Sequence, residues 1–475
     1  MTNDGTYDST DTFGVNDANA ITDGTAITDG ANFVIRPVSR RLLIGGGAAL
    51  GVGLTALGSS TAEAAPGRLS ASWNGKSSRA AIRFLKGVTN AYRTTGPRLA
   101  QSYQDNSGLS DIAFVYDNAL AIIALLNAGE GAAARALGDG LLYAQAHDET
   151  FTDGRLRQAY HAKTFINGNG TAHFGWEFGL VGTAVGDMSW AGIALAQLAR
   201  ATGIGRYKTG AVKIADWIQT NTYSTSGLGG YTFGETAGLE DHKSTEHNID
   251  VAAFFRLIQT LTGKRVWGDR ADHAWAFVEQ VWNDEDGFFW TGSDDGSAIN
   301  KLGTQFPLDA QPWSWLARRQ GAYREALDWA ATNLATTDTP QRLNSALTGN
   351  QKVTGVAFGS GSLKADPTVP IDRYNPEPDS GAVWFEGTTQ LALALADRNR
   401  KGDKAAAQAL LDAVIWAQDA LGAGQVFGGK RIEGGVVAAS SPLQTGFGFG
   451  YYPNLHVGAT SWFVFAGTGV NPYLF

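Results

Sequence analysis

The 475-residue sequence contains no cysteine. That absence removes disulfides, thiolate nucleophiles and cysteine-ligated zinc or iron–sulfur centres. Charge is scarce as well: Asp, Glu, Lys and Arg make up 17% of the residues, against roughly 25% in an average soluble protein. With 37 basic and 45 acidic residues the formal charge is −8, so no basic field exists to neutralise phosphates and nucleic acid is excluded as the main ligand. The seven histidines, at 147, 161, 173, 242, 247, 273 and 456, contain no His-x-x-x-His pair. Neither a metal site nor a cofactor is expected from them. The acidic turns at 284–286 and 294–295 read as turn formers, with calcium as the alternative. No phosphate loop follows a strand, since the Gly-Phe-Gly-Phe-Gly run at 446–450 lacks the following Lys-Ser/Thr. Gly359-Ser360-Gly361-Ser362 does not match the Gly-x-Ser-x-Gly of serine hydrolases.

What the chain has is 61 glycines, 51 aromatic residues (14 of them tryptophan) and a 43% hydrophobic composition, ample for a large core. The first 38 residues stand apart. Residues 1–35 hold six Asp, seven Thr and no Lys, which is too little apolar surface to offset the entropy of ordering, and 1–38 reads as a disordered extension. Residues 39–65 follow with Arg40-Arg41, a glycine-rich apolar run and Ala62-Glu63-Ala64, the pattern of a twin-arginine export signal. The run is about 16 residues long, short of the roughly 20 that a spanning helix needs. A protein secreted by that route, with no stable membrane insertion after cleavage, is the expectation. Residues 66–475 form the remaining domain, expected to be a monomer.

Within that domain two kinds of helix alternate. Amphipathic patterns with period 3.6 cover 78–92, 132–147, 208–221, 269–283, 323–334 and 403–421. Nearly uncharged segments rich in Ala, Leu and Trp cover 118–127, 188–199, 248–261, 310–316, 388–396 and 458–466. A helix that is apolar all round must be enclosed on every side. Six enclosed helices interleaved with six half-exposed ones describe two concentric rings.

The enclosed helices open on similar phrases: Tyr116-Asp117-Asn118, Gly186-Asp187-Met188, Thr245-Glu246-His247, Leu308-Asp309-Ala310, Phe385-Glu386-Gly387 and His456-Val457-Gly458. Their lead residues recur every 59 to 77 residues, room for an outer helix, a long loop and an inner helix per unit. The loops at 154–185, 224–243, 287–307, 337–383 and 422–455 are rich in glycine and aromatics, and pieces such as Phe288-Phe289 and Tyr231-Thr232-Phe233 look like hairpin strands. Loops of this length usually carry function.

From about residue 70 onward the chain resembles the six-hairpin glycosidase superfamily. The resemblance implies an all-α (α/α)6 barrel, with short β-hairpins in the loops on the active-site face and a carbohydrate as the partner. It is specific for fold and less so for activity, because such barrels also serve sugar epimerases, and related toroids serve polysaccharide lyases. In hydrolases of this resemblance the acids at the inner-helix starts carry the reaction. Glu246 is then the general acid, with Glu386, Asp117 or Asp187 as the base.

Each Asp at a helix start also has a plainer reading as a cap that complements the macrodipole. Glutamate caps poorly, and Glu246 and Glu386 stand in uncharged, aromatic surroundings, where a carboxyl needs a partner or a raised pKa. His247 and Asp250, at i and i+3, could pair with each other or with substrate. Flat rings stack on sugars while carboxylates and amides bond hydroxyls. On that ground Trp176, Glu177, Tyr231, Trp290, Asp309, Gln311, Trp313, Trp384 and His456 join His247 and Asp250 as substrate-binding expectations, with Trp290 and Tyr231 the favoured stacking rings. The competing readings are an epimerase or isomerase using His247 and His456, a lyase, which would want a basic cluster the motifs lack, and a non-catalytic carbohydrate-binding protein.

Overall fold

The computed structural model describes residues 75–301, 305–372 and 375–475. The 1–38 extension and the 39–65 export signal lie outside the described residues. Among the described residues twelve α-helices follow in chain order: α1 (Lys76–Thr89), α2 (Val115–Asn127), α3 (Gly131–Ala146), α4 (Val185–Thr202), α5 (Gly205–Asn221), α6 (Thr245–Thr262), α7 (Val266–Gln280), α8 (Ala310–Arg318), α9 (Ala326–Asn333), α10 (Phe385–Arg398), α11 (Asp403–Ala420) and α12 (Val457–Thr468). The even-numbered helices are the uncharged set and the odd-numbered ones the amphipathic set. The structure moves most boundaries by only a few residues. The 323–334 segment is the exception, breaking into a 3-10 turn at Gly321–Tyr323 and the short α9.

Contacts among the even helices run in a cycle. α2 packs on α4, α4 on α6, α6 on α8, α8 on α10, α10 on α12, and α12 returns to α2. The odd helices lie against this ring, α3 across α2 and α4, and α5 across α4 and α6. Sequence explains the division. In α12 every residue from Val457 to Ala466 is buried, whereas in α5 only seven of seventeen are. The inner helices approach closely because small residues face large ones. Gly192 of α4 lies so near Phe254 of α6 that a Cβ there would fall 2.1 Å from its Cζ. Truncating the fully buried Phe254 to Ala should cost about 3–5 kcal/mol, because the tightly packed site can collapse only in part.

Short antiparallel ladders decorate one end of the ring. β1 (Ile112–Phe114) pairs with β2 (Ala159–His161) in the register Ile112 to His161 and leads straight into α2. Thr183–Ala184 pairs with Gly234–Glu235 ahead of α4, Lys243–Ser244 with Gly292–Ser293 ahead of α6, and Val436–Val437 with Leu455–His456 ahead of α12. Single bridges at Pro307 and Trp384 do the same ahead of α8 and α10. Every inner helix therefore starts from a backbone-paired residue, which fixes where its first-turn side chains stand. Among the described residues no helix is long and apolar enough to cross a membrane.

Candidate active site

The acids at the inner-helix starts converge. Asp117, Asp187, Glu246 and Glu386 occupy the first turns of α2, α4, α6 and α10, and Asp309 immediately precedes α8. Asp117 accepts from His456 Nε2 at both oxygens, 3.1 and 3.2 Å away, and Glu386 Oε2 lies 3.6 Å from His456 Nδ1. Tyr116 donates to Glu386 Oε1 at 2.6 Å and itself accepts from Trp462 Nε1 at 2.9 Å. Gly458 shows how tightly this side is built: a Cβ there would sit 2.7 Å from Asp117 Oδ1 and 2.8 Å from Glu386 Oε2. Tyr473, near the C-terminus, donates to Asp250 at 2.7 Å.

Electrostatics tie the remaining acids to the same place. Burial pushes Glu246 up to about 7. Burial and the charge of Asp117 push Asp187 up to about 7. Glu386 also rises to about 7, through burial and then Asp117, against the lowering effect of His456. Asp250 and Asp309 stand well above the usual carboxylate range, first through burial and then through each other's neighbour Glu246. Burial lowers His247 to about 4, so its ring is neutral at physiological pH. His456 resists its burial because Asp117 and Glu386 favour the cation, and its pKa is raised. These groups interact because they share one weakly solvated space.

None of the acids serves as a cap for its own helix among the described residues. The only side-chain caps on inner helices come from Ser244 and His456, which accept from His247 N and Ala459 N. Among the described residues several buried polar atoms make no hydrogen bond: Asp309 Oδ1, Gln390 Oε1, His247 Nδ1 and the indole N–H groups of Trp313 and Trp384, while Glu386 Oε2 has only the longer contact to His456. Unpaired buried groups at this density mark a place where a polar ligand would complete the hydrogen bonding. Asp187, Glu246 and His247 are half-buried and form the more accessible side, whereas Asp117, Asp309 and Glu386 are buried.

Beneath the acids lies an indole floor. Trp313 stacks on Trp462 with centroids 6.1 Å apart and planes 13° apart, and Trp190 meets both edge-on. Trp384 stacks on Tyr451, whose ring lies 6.1 Å from His456, while Tyr103 stacks on His456 at 4.3 Å.

Other expectations need correction. Tyr231 is fully buried; its hydroxyl donates to Gln219 on α5 and its ring packs on Phe255, so it is a core residue rather than a stacking platform. Trp290 packs edge-on against Phe288 and next to Phe306 instead of joining the indole floor. Gln311 spends its amide on both backbone groups of Phe289, at 2.9 and 3.0 Å, and so pins a loop. His247 and Asp250 do not pair: His247 Nδ1 has no partner and Asp250 takes its bond from Tyr473. Glu177 belongs to a second cluster with His161 and His173, and Trp176 beside it is 61% exposed. Asp295 takes the plainer turn reading, accepting from Ser297 N and Ala298 N at 2.8 Å. The sequence reading does not single out Tyr116, Trp190, Gln390 or Tyr473. The first three lie in the phrases that open the inner helices, and Tyr473 carries no signal in sequence.

No family model matches the chain, and no curated protein matches it in sequence. Solved structures resemble it in fold. A glycosidase variant in complex with glucose gives a TM-score of 0.52 at 12% identity, over 83% of this chain and 99% of that one. A family 76 glycoside hydrolase from a bovine Bacteroides thetaiotaomicron strain gives 0.53 at 12% identity, over 84% and 78%. A D-mannose isomerase gives 0.55 at 11% identity, over 85% and 99%. The fold is thus one that glycosidases and a sugar isomerase share.

Proposed function

We propose that the chain is a glycoside hydrolase acting on an oligo- or polysaccharide, built on an (α/α)6 barrel whose inner ring is the cyclic order of even-numbered helices. The observation that carries the reading is the meeting of acids from five helix starts with His247 and His456, above a floor of indoles. Cleaving a glycosidic bond needs a protonated carboxyl for the leaving oxygen and a second carboxylate for water or the anomeric carbon. Glu246, half-buried and raised to about 7, retains a proton near neutrality and acts as the general acid. Asp117 accepts from His456 at both oxygens and offers lone pairs to a water; Asp187 is the alternative base. Glu386, Asp309, Asp250 and the unpaired indole N–H groups bind hydroxyls; Trp313 and Trp384 are buried with their rings packed on Trp462 and Tyr451, so they offer no open face to a sugar. Export through the 39–65 signal, and action as a monomer, are parts of the same proposal.

Glu246→Gln tests the assignment. The rate of reducing-end release from a glycan panel should fall by about 10²–10⁴-fold, the contribution of general acid catalysis. An unchanged rate removes Glu246 from the mechanism.

One observation favours a second reading. His456 is held between two carboxyls and His247 is neutral with a free Nδ1, which suits proton transfer between carbons of an open-chain sugar. An isomerase would interconvert a monosaccharide and release no new reducing ends.

A further inference from the structure

The long loop ahead of α4 carries a second cluster of ionisable side chains, separate from the acids of the ring. His161 ends β2, and its backbone is clasped on both sides: Ile112 pairs with it in the ladder, and its own N–H donates to the carbonyl of His173 at 2.9 Å. The two imidazoles stack with centroids 4.1 Å apart. Each ring has its Nδ1 engaged by an oxygen, His161 by Asp111 Oδ1 at 3.0 Å and His173 by Thr164 Oγ1 at 2.8 Å. Both Nε2 atoms therefore turn toward one carboxylate. Glu177 Oε2 lies 2.9 Å from His161 Nε2, and Glu177 Oε1 lies 3.6 Å from His173 Nε2. One ligand atom from each of the three residues falls within 4.8 Å of the others.

We infer that His161, His173 and Glu177 bind one divalent transition-metal ion with the ligand preferences of zinc. Two imidazoles and a carboxylate are a recognised zinc donor set, and Zn–N and Zn–O bonds of about 2.0–2.2 Å put tetrahedral ligand atoms about 3.4 Å apart. The separations of 2.9 and 3.6 Å bracket that value. Asp111 supplies the outer partner that orients a ligating histidine, and it is itself fixed by accepting from Lys163 N at 2.7 Å. His161 is buried, His173 half-buried and Glu177 exposed, so the donors have a rigid back and an open front through which the ion and a water ligand can come. The ion would tie the 3-10 turn Trp176–Phe178, which carries the 61% exposed Trp176, to the β1–β2 ladder. No residue of the acid ring is involved, so the inference stands or falls independently of the proposed hydrolase activity.

Isothermal titration of the chelator-stripped protein with Zn²⁺ alone tests it, with thermal unfolding as a second readout. The expected result is uptake of one equivalent and a higher unfolding temperature with Zn²⁺. Asp111→Asn should weaken binding by about 10–100-fold. His173→Gln and Glu177→Gln, which change exposed or half-buried positions and should leave the metal-free unfolding temperature in place, should each weaken it by at least about tenfold. Absence of saturable uptake would overturn the inference. So would equal affinity in the His173→Gln/Glu177→Gln double variant, or affinity lost only in Glu246→Gln, which would put the ion in the acid ring.

Discussion

Asp117 and His456, at the starts of α2 and α12, meet through one imidazole nitrogen that reaches both carboxylate oxygens at 3.1 and 3.2 Å. The contact closes the seam between the first and last inner helices, and both side chains are almost wholly buried. Breaking such a pair from one side strands a buried charge and costs about 3–5 kcal/mol. His456→Ala should therefore destabilise the domain by about that much in urea unfolding. The double variant with Asp117→Asn should cost less than the two singles together, as expected of coupled neighbours. Additive losses would show that the two side chains do not act as a pair.

Stability should depend on pH through Glu246. A carboxyl whose folded pKa is raised binds its proton more tightly folded than unfolded, so its stabilising contribution is full below the unfolded value of about 4.3. It is lost as pH rises through about 7. Glu246→Gln cannot ionise, so its stability relative to wild type should rise between pH 5 and pH 8. Urea unfolding of both proteins at the two pH values measures the difference. A constant difference would mean that Glu246 titrates alike in the folded and unfolded states.

Activity should fall on the alkaline side for the same reason. A general acid must carry its proton, so the rate should decline with a midpoint near 7 as Glu246 ionises. A pH–rate profile flat from 6 to 9 would contradict the assignment.

Gly458→Ala should disable the site without a helix-propensity penalty, since alanine is the better helix former. The added methyl would fall 2.7 Å from Asp117 Oδ1 and 2.8 Å from Glu386 Oε2, and separating those groups should cost about 1–3 kcal/mol as well as activity. Gly205→Ala, at the start of α5 with nothing within 4 Å, is the control and should leave both stability and rate near wild type.

Tyr473→Phe should cost about 1–3 kcal/mol, because it leaves the buried Asp250 without its hydroxyl donor. Chemical denaturation reads this directly. A neutral effect would mean that Asp250 finds another partner.

Much of the architecture was legible because it rests on periodicity. Uncharged segments such as 458–466 and amphipathic ones such as 208–221 announce which helices are enclosed, and the acidic phrases mark where the enclosed ones begin. The site was legible only where a side chain belongs to such a phrase. Tyr473 reaches Asp250 from a C-terminal segment without any periodic pattern. Tyr231 and Gln311 show the reverse failure: a loop aromatic and a helix-start amide look like ligand groups, yet the fold uses one as core and the other as a clasp on Phe289. The His161–His173–Glu177 cluster escaped because its histidines lie twelve residues apart, and a β-ladder, not one helix face, brings them together.

The central claim is that the ring of acids cleaves glycosidic bonds. Its most direct test is to incubate the chain with a panel of glycans and with free aldoses, and to measure new reducing ends and aldose–ketose interconversion in parallel. Release of reducing ends from at least one glycan, abolished by Glu246→Gln, is the expected result. Interconversion of a free sugar with no reducing ends released from any glycan would contradict it.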